Sequence, residues 1–156
     1  MRKLIGTLAL LTVACGGEKP ATQAAAAPAA AAPAAAAPAA PSGPVKEIRM
    51  ELAGGKYLFT PASLTVKVGD VVRFINVSGG PHNVSFFKDS VPAGADAMLN
   101  AAMKNQMAPN TMTANYMTDS LAAYDVSFAG APVGTYKFTC QPHQPMGMHG
   151  TIKVEK

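Results

Sequence analysis

The sequence predicts an all-β domain, an antiparallel sandwich or barrel starting at Val45. Three observations lead there: short runs alternate apolar and polar residues with period two, glycine and proline turns separate them, and one segment alone shows helical spacing. Ile48, Met50 and Leu52 alternate with Glu47, Arg49 and Glu51, as a half-buried strand requires. Leu64, Val66 and Val68 alternate with Thr65 and Lys67, and Gly69-Asp70 then turns the chain into an apolar strand over Val71 to Asn76. Gly94 to Met107 sets Leu99, Ala102, Met103 and Met107 at helical spacing, and Pro109 is expected to stop this short helix. A strand over Tyr124 to Phe128 is closed by the turn residues Ala129 to Gly134. Tyr136, Phe138 and Cys140 share one face of the next strand and Thr135, Lys137 and Thr139 the other, so Cys140 is expected to point inward at its end. Ile152 and Val154 alternate with Thr151, Lys153 and Glu155 in the last strand.

The chain has 156 residues, enough for one ordinary domain with appendages. Hydrophobic residues make up 49% of it, but 15 of them are alanines within the 22 positions from Pro20 to Pro41, so composition overstates the core. The net charge is +4, yet from Val45 onward ten basic residues face eight acidic ones, which offers no basic face to nucleic acid. Two cysteines and three histidines exclude a disulfide-rich scaffold and a multinuclear metal cluster.

The N-terminus reads as an export leader. Met1-Arg2-Lys3 is basic, and Leu4 to Val13 is an apolar run of about ten residues, too short to cross ~30 Å of hydrocarbon as a helix. Leu11-Thr12-Val13-Ala14-Cys15 resembles a bacterial lipoprotein processing site, which implies a signal peptide over 1–14 and a mature N-terminus at a lipidated Cys15. An ordinary secretory leader cut nearby is the alternative. Gly16, rather than Asp, resembles lipoproteins sent on to an outer membrane, so the expected location is outside the cytoplasm, lipid-anchored and facing the periplasm. Residues 15–44 read as a linker whose Ala-Ala-Ala-Ala-Pro units end at Pro28, Pro33 and Pro38, and whose extended reach is at most ~90 Å. The folded domain is expected over 45–156.

Chemistry is concentrated in Cys140-Gln141-Pro142-His143-Gln144-Pro145-Met146-Gly147-Met148. A histidine follows the cysteine by three residues, a methionine follows that histidine by five, and His82 lies 58 residues upstream of Cys140 in Gly79-Gly80-Pro81-His82-Asn83. Two imidazoles, a thiolate and a weak thioether form a donor set that suits one copper ion, because Cu(I) favours sulfur and Cu(II) favours nitrogen, and a mixed site serves both. Met98, Met103, Met107, Met112 and Met117 read as packing on an apolar face, not as a second, thioether-rich copper relay.

Tyr57-Leu58-Phe59-Thr60-Pro61-Ala62-Ser63-Leu64-Thr65-Val66, Gly69-Asp70, Pro81-His82-Asn83-Val84, Gly134-Thr135-Tyr136 and the Cys140 loop together resemble the plastocyanin and pseudoazurin branch of the cupredoxins, over nearly the whole domain. The resemblance implies an eight-stranded Greek-key β-sandwich with one short helical insertion. It also implies a type 1 (blue) copper ion held by His82, Cys140, His143 and Met148. Met148 is preferred to Met146 because family loops of this length place the methionine five after the histidine. Asn83 then helps to pin the cysteine loop, and the edge of His143 becomes the electron port, at the surface inside a ring of Gly79, Gly80, Pro81, Pro142, Pro145 and Met146. His149 is expected to be a surface strand residue.

The implied function is electron transfer: a membrane-tethered, monomeric one-electron carrier cycling Cu(I) and Cu(II) outside the cytoplasm, whose partners are redox proteins such as a cytochrome, an oxidase or a reductase. Copper handling or delivery is the alternative. Copper enzymes of related fold wire their blue copper to a second centre through a histidine beside the cysteine. Here the neighbours are Thr139 and Gln141, so an enzyme is not expected. Thr139 also replaces the tyrosine of plant-type plastocyanins, and Phe87-Lys88-Asp89-Ser90 lacks their acidic run, which argues against a partner chosen by strong charge.

Overall fold

The structure is a computed structural model that describes residues 43–156; the expected leader, Cys15 and the linker up to residue 42 lie outside the described residues. In chain order the strands are β1 (Val45–Ala53), β2 (Lys56–Thr60), β3 (Ser63–Lys67), β4 (Val71–Asn76), β5 (Ser85–Phe86), β6 (Ala123–Ser127), β7 (Gly134–Thr139) and β8 (His149–Glu155), with one helix, α1 (Ala95–Ala102), between β5 and β6. They form two four-stranded sheets, ordered β2-β1-β4-β6 and β3-β8-β7-β5. The eight-stranded sandwich is therefore as expected. The purely antiparallel pairing is not: β1 runs parallel to β4, with Ile48 opposite Phe74, and β3 runs parallel to β8, with Val66 opposite Val154. Alternation along a strand fixes which side chains face the core, but it carries no information on the direction of the neighbouring strand.

The core lies between the sheets. Ile48, Met50, Phe59, Val72, Phe74 and Val126 face Val66, Phe86, Tyr136, Phe138, Ile152 and Val154, all buried. Phe138 is central, with the Phe59 and Phe74 rings edge-on to it at centroid distances of 4.8 and 5.3 Å. Two expected core positions fail. Leu52, paired with Tyr57 near the end of β1, and Val68, just past the end of β3, are exposed, as is Met107. Two strands were also not legible: β5 has only two residues, and β2 breaks the alternation because Leu58, between Tyr57 and Phe59, faces outward.

The helix is shorter than its apolar spacing implies. It ends at Ala102, with Met103 already extended, and not at Pro109. The Gln106 side chain accounts for this stop. Its amide donates to the carbonyls of Asn100 and Met103, while its oxygen accepts the N–H groups of Thr111 and Met112, so the returning chain satisfies the helix end.

Both ends of the sandwich are defined by β1. At its start, Gly43 N donates to Gly69 O and Val71 N to Pro44 O; near its finish, Val77 N and Ser78 N donate to Met50 O. The chain therefore enters at one pole. The loop after β4 and the loop after β7 meet at the other, and they carry His82 and Cys140.

Candidate metal centre

The first loop is held by Asn76, a fully buried amide at the end of β4. Its oxygen accepts Gly79 N at 3.0 Å, and its nitrogen donates to Gly80 O at 2.9 Å and Met117 O at 3.0 Å. A polar side chain is retained here because the tight loop would otherwise leave buried backbone groups unpaired. His82 then pairs through its backbone with Met117 in both directions. Asn83 joins the loops: its oxygen accepts Gln141 N at 2.8 Å, and its nitrogen donates to Gln141 Oε1 at 3.1 Å and Ala114 O at 3.2 Å. Asn83 thus pins the residue after Cys140, as the resemblance implied.

The second loop is a 3-10 turn over Gln141–Met146, entered through Pro142. His143 N donates to Cys140 O, which folds the imidazole back over the sulfur. Gly147 ends the turn at φ +82, in left-handed backbone where a side chain is strained, and the chain then returns so that Met148 N donates to His143 O and Cys140 N to Met148 O. The Thr139 hydroxyl donates to the same Met148 carbonyl at 2.9 Å. Met148 is therefore buried beside Cys140 and His143, 1% exposed, whereas Met146 is 58% exposed.

These loops bring three of the four expected residues together. The Nδ1 atoms of His82 and His143 lie 3.5 and 3.4 Å from the Cys140 sulfur, and one donor atom from each residue falls within 4.8 Å of the others. Both imidazoles turn a nitrogen toward one buried thiol, and Cys140 has no disulfide partner among the described residues. This donor set fits a copper ion: soft sulfur with two borderline nitrogens, shielded from solvent.

Burial sets the protonation. It lowers the pKa of His82 to about 4, helped by the neighbouring His143, and it lowers that of His143 too. Both rings are thus neutral near neutral pH, with lone pairs free. Burial pushes the Cys140 thiol up, while the backbone N–H groups of Asn83 and His143 pull it down. A cation entering the site must displace that thiol proton, so metal uptake releases it.

The surroundings of the two rings differ from expectation. His143 was expected at the surface, but only 6% of it is exposed. Tyr57 covers it, with the two rings stacked 3.6 Å apart between centroids and 8° from parallel. The other nitrogen of His82, Nε2, lies 3.2 Å from the hydroxyl of Ser78. Tyr57, Ser78 and Thr139 were not foreseen as site residues, since an isolated tyrosine, serine or threonine carries no spacing signal. His149 is exposed on β8, as expected. Met103 and Met112 are buried in the core, and Met98 and Met117 pack against it.

Comparison with known proteins agrees with this geometry. Residues 46–155 match the profile of the family described as copper binding proteins, plastocyanin/azurin family. The chain is 35% identical over 108 residues to plastocyanin of Scenedesmus fuscus, covering 69% of this chain and 97% of that protein. It is 38% identical over 110 residues to plastocyanin of Prochlorothrix hollandica, covering 69% of this chain and 72% of that one. Among solved structures, oxidised plastocyanin from Dryopteris crassirhizoma superposes with a TM-score of 0.55 at 28% identity, over 70% of this chain and all of that one. Pseudoazurin from Methylobacterium extorquens AM1 gives a TM-score of 0.50 at 27% identity, over 72% and 76%.

Proposed function

The chain belongs to the plastocyanin/azurin family of copper-binding proteins, and on that premise we propose that it is a one-electron carrier whose copper would be held by His82, Cys140 and His143, with Met148 as a weak fourth ligand. The observation that supports this reading most is the convergence of two neutral imidazoles on one buried thiol that has no disulfide partner among the described residues. When bound, copper supplies a one-electron couple. The protein supplies a frame that resists rearrangement. Asn83 ties the two ligand loops together, Asn76 fixes the approach to His82, and the Thr139 hydroxyl holds the Met148 backbone. Ligands fixed by a surrounding hydrogen-bonded shell have little to move when charge changes by one.

The partners on this reading are redox proteins that dock briefly on the apolar rim around the site, where Met146 is exposed, because short-lived redox encounters use small interfaces. The reading includes monomeric behaviour, export and a lipid anchor on Cys15. Among the described residues no helix is long and apolar enough to cross a membrane. Entry of the chain at the pole remote from the ligands is compatible with a tether there.

Voltammetry of the copper-loaded full chain tests the reading. A carrier gives a reversible one-electron wave and keeps its copper during repeated cycling beside a strong chelator. Loss of the metal to the chelator on reduction would favour copper delivery instead.

A further inference from the structure

Five methionines lie from Met98 to Met117, and four of them pack: Met103 and Met112 are buried, and Met98 and Met117 lie against the core. Met107 does not. It is 45% exposed, and its sulfur accepts the side-chain amide of Asn83 at 3.7 Å. That amide has two hydrogens for three acceptors, the others being Gln141 Oε1 at 3.1 Å and Ala114 O at 3.2 Å, and the thioether is the weakest of them. The oxygen of the same side chain accepts Gln141 N, the residue after Cys140. Asn83 thus connects an exposed, oxidisable sulfur with the cysteine loop. The backbone keeps the sulfur's residue in place, because Met107 N donates to Thr113 O and Ala114 N to Val84 O. Met146 is more exposed but its sulfur has no such partner among the described residues, and Met148 is shielded.

We propose that Met107 is an oxidative modification site: hydrogen peroxide converts its thioether to the sulfoxide, and the change loosens the metal centre through Asn83. The inference rests on the copper-site reading above. Sulfur loses two electrons as an S–O bond forms, the O–O bond of the peroxide breaks, and its second oxygen leaves as water. The product is a polar group with an oxygen acceptor in place of a weak sulfur one. That oxygen draws the Asn83 amide away from Gln141 Oε1 and Ala114 O, so the two ligand loops lose part of their mutual hold. Copper then leaves more readily. The step is reversible, since a dithiol reductant removes the oxygen as water and is itself left as a disulfide.

The test treats the Cu(II)-loaded full chain, Met107→Leu and Met146→Leu with hydrogen peroxide, then follows copper transfer to a chelator by the fading of the visible band. Peptide mass spectrometry should find one added oxygen on Met107. Transfer should quicken severalfold in the wild type and in Met146→Leu, should not respond to peroxide in Met107→Leu, and should return to its starting rate after treatment with methionine sulfoxide reductases. Once copper is removed, the side-chain amide signals of Asn83 and Gln141 in proton–nitrogen NMR should differ between the oxidised and untreated wild type. A Met107 left intact by peroxide that has converted Met146 would overturn the proposal. So would an oxidised Met107 with an unchanged transfer rate or unmoved amide signals. An untreated wild type without an intense visible copper band would overturn the site reading, and the role of Met107 with it; a normal band with an unchanged transfer rate overturns the role of Met107 alone.

Discussion

Acid should destabilise the metal-free protein through His82. In the folded chain this ring titrates at about 4, against a usual value of 6.5, chiefly because burial disfavours the imidazolium. Unfolding frees it to bind a proton near its ordinary pKa. Between those values the unfolded state holds more protons, so stability falls as pH falls. The contribution is fully present above about pH 6.5 and is lost progressively down to about pH 4. A gap of roughly 2.5 units at 1.36 kcal/mol per unit gives about 3 kcal/mol. That is a large share of the ~5–15 kcal/mol typical of a domain. His143 shifts in the same direction and adds to it. Asp125 and Glu155, whose pKa values are lowered by Arg73 and Lys153, also favour loss in acid, but their ion pairs are exposed and contribute little. The assay is urea denaturation of the metal-free chain, followed by circular dichroism at several pH values, for the wild type and His82→Gln. The wild-type midpoint should drop steeply below about pH 6.5, and the variant should show a markedly flatter slope. Identical slopes would refute the assignment of the acid lability to His82.

Three further outcomes follow from the same geometry. Asn83→Ala removes the acceptor of Gln141 N and the donor to Ala114 O, at a cost of about 1–3 kcal/mol; chemical denaturation should show that loss, and a chelator should strip copper faster, whereas wild-type behaviour in both would mean that Asn83 does not pin the loop. Met148→Leu should keep the visible copper band and raise the reduction potential, while Met146→Leu, altered at an exposed position, should leave both unchanged; the reverse pattern would move the axial ligand to Met146. Gly150→Ala would set a Cβ 2.2 Å from Phe138 Cζ at the centre of the core, so the melting temperature should fall by the equivalent of about 1–3 kcal/mol or more, and an unchanged melt would contradict the packing.

Much of the sandwich could be read from the alternation of Ile48 and Met50, of Tyr136 and Phe138, and of Ile152 and Val154, because period two reports directly on which side chains are buried. The parallel pairings of β1 with β4 and β3 with β8 could not, since they depend on how distant strands are brought together. The helix end was misjudged because a side chain from outside the helix, Gln106, satisfies its carbonyls before Pro109 is reached. Of the site, Cys140, His143 and Met148 share one loop, and their spacing was visible. His82 became recognisable only through its flanking residues. The stacking of Tyr57 on His143 had no sequence signal, for it arises where β2 passes over a loop more than 80 residues away, and it hides the ring that was expected to be open to solvent.

The claim on which the rest depends is that Cys140 is a copper ligand. The most direct measurement is the optical and paramagnetic-resonance spectrum of the copper-loaded chain beside Cys140→Ser. The wild type should show an intense visible thiolate-to-copper absorption with a Cu(II) resonance, both bleached on reduction, and Cys140→Ser should lack the absorption. A blue colour that survives in Cys140→Ser, or a wild type that takes up copper without it, would contradict the account.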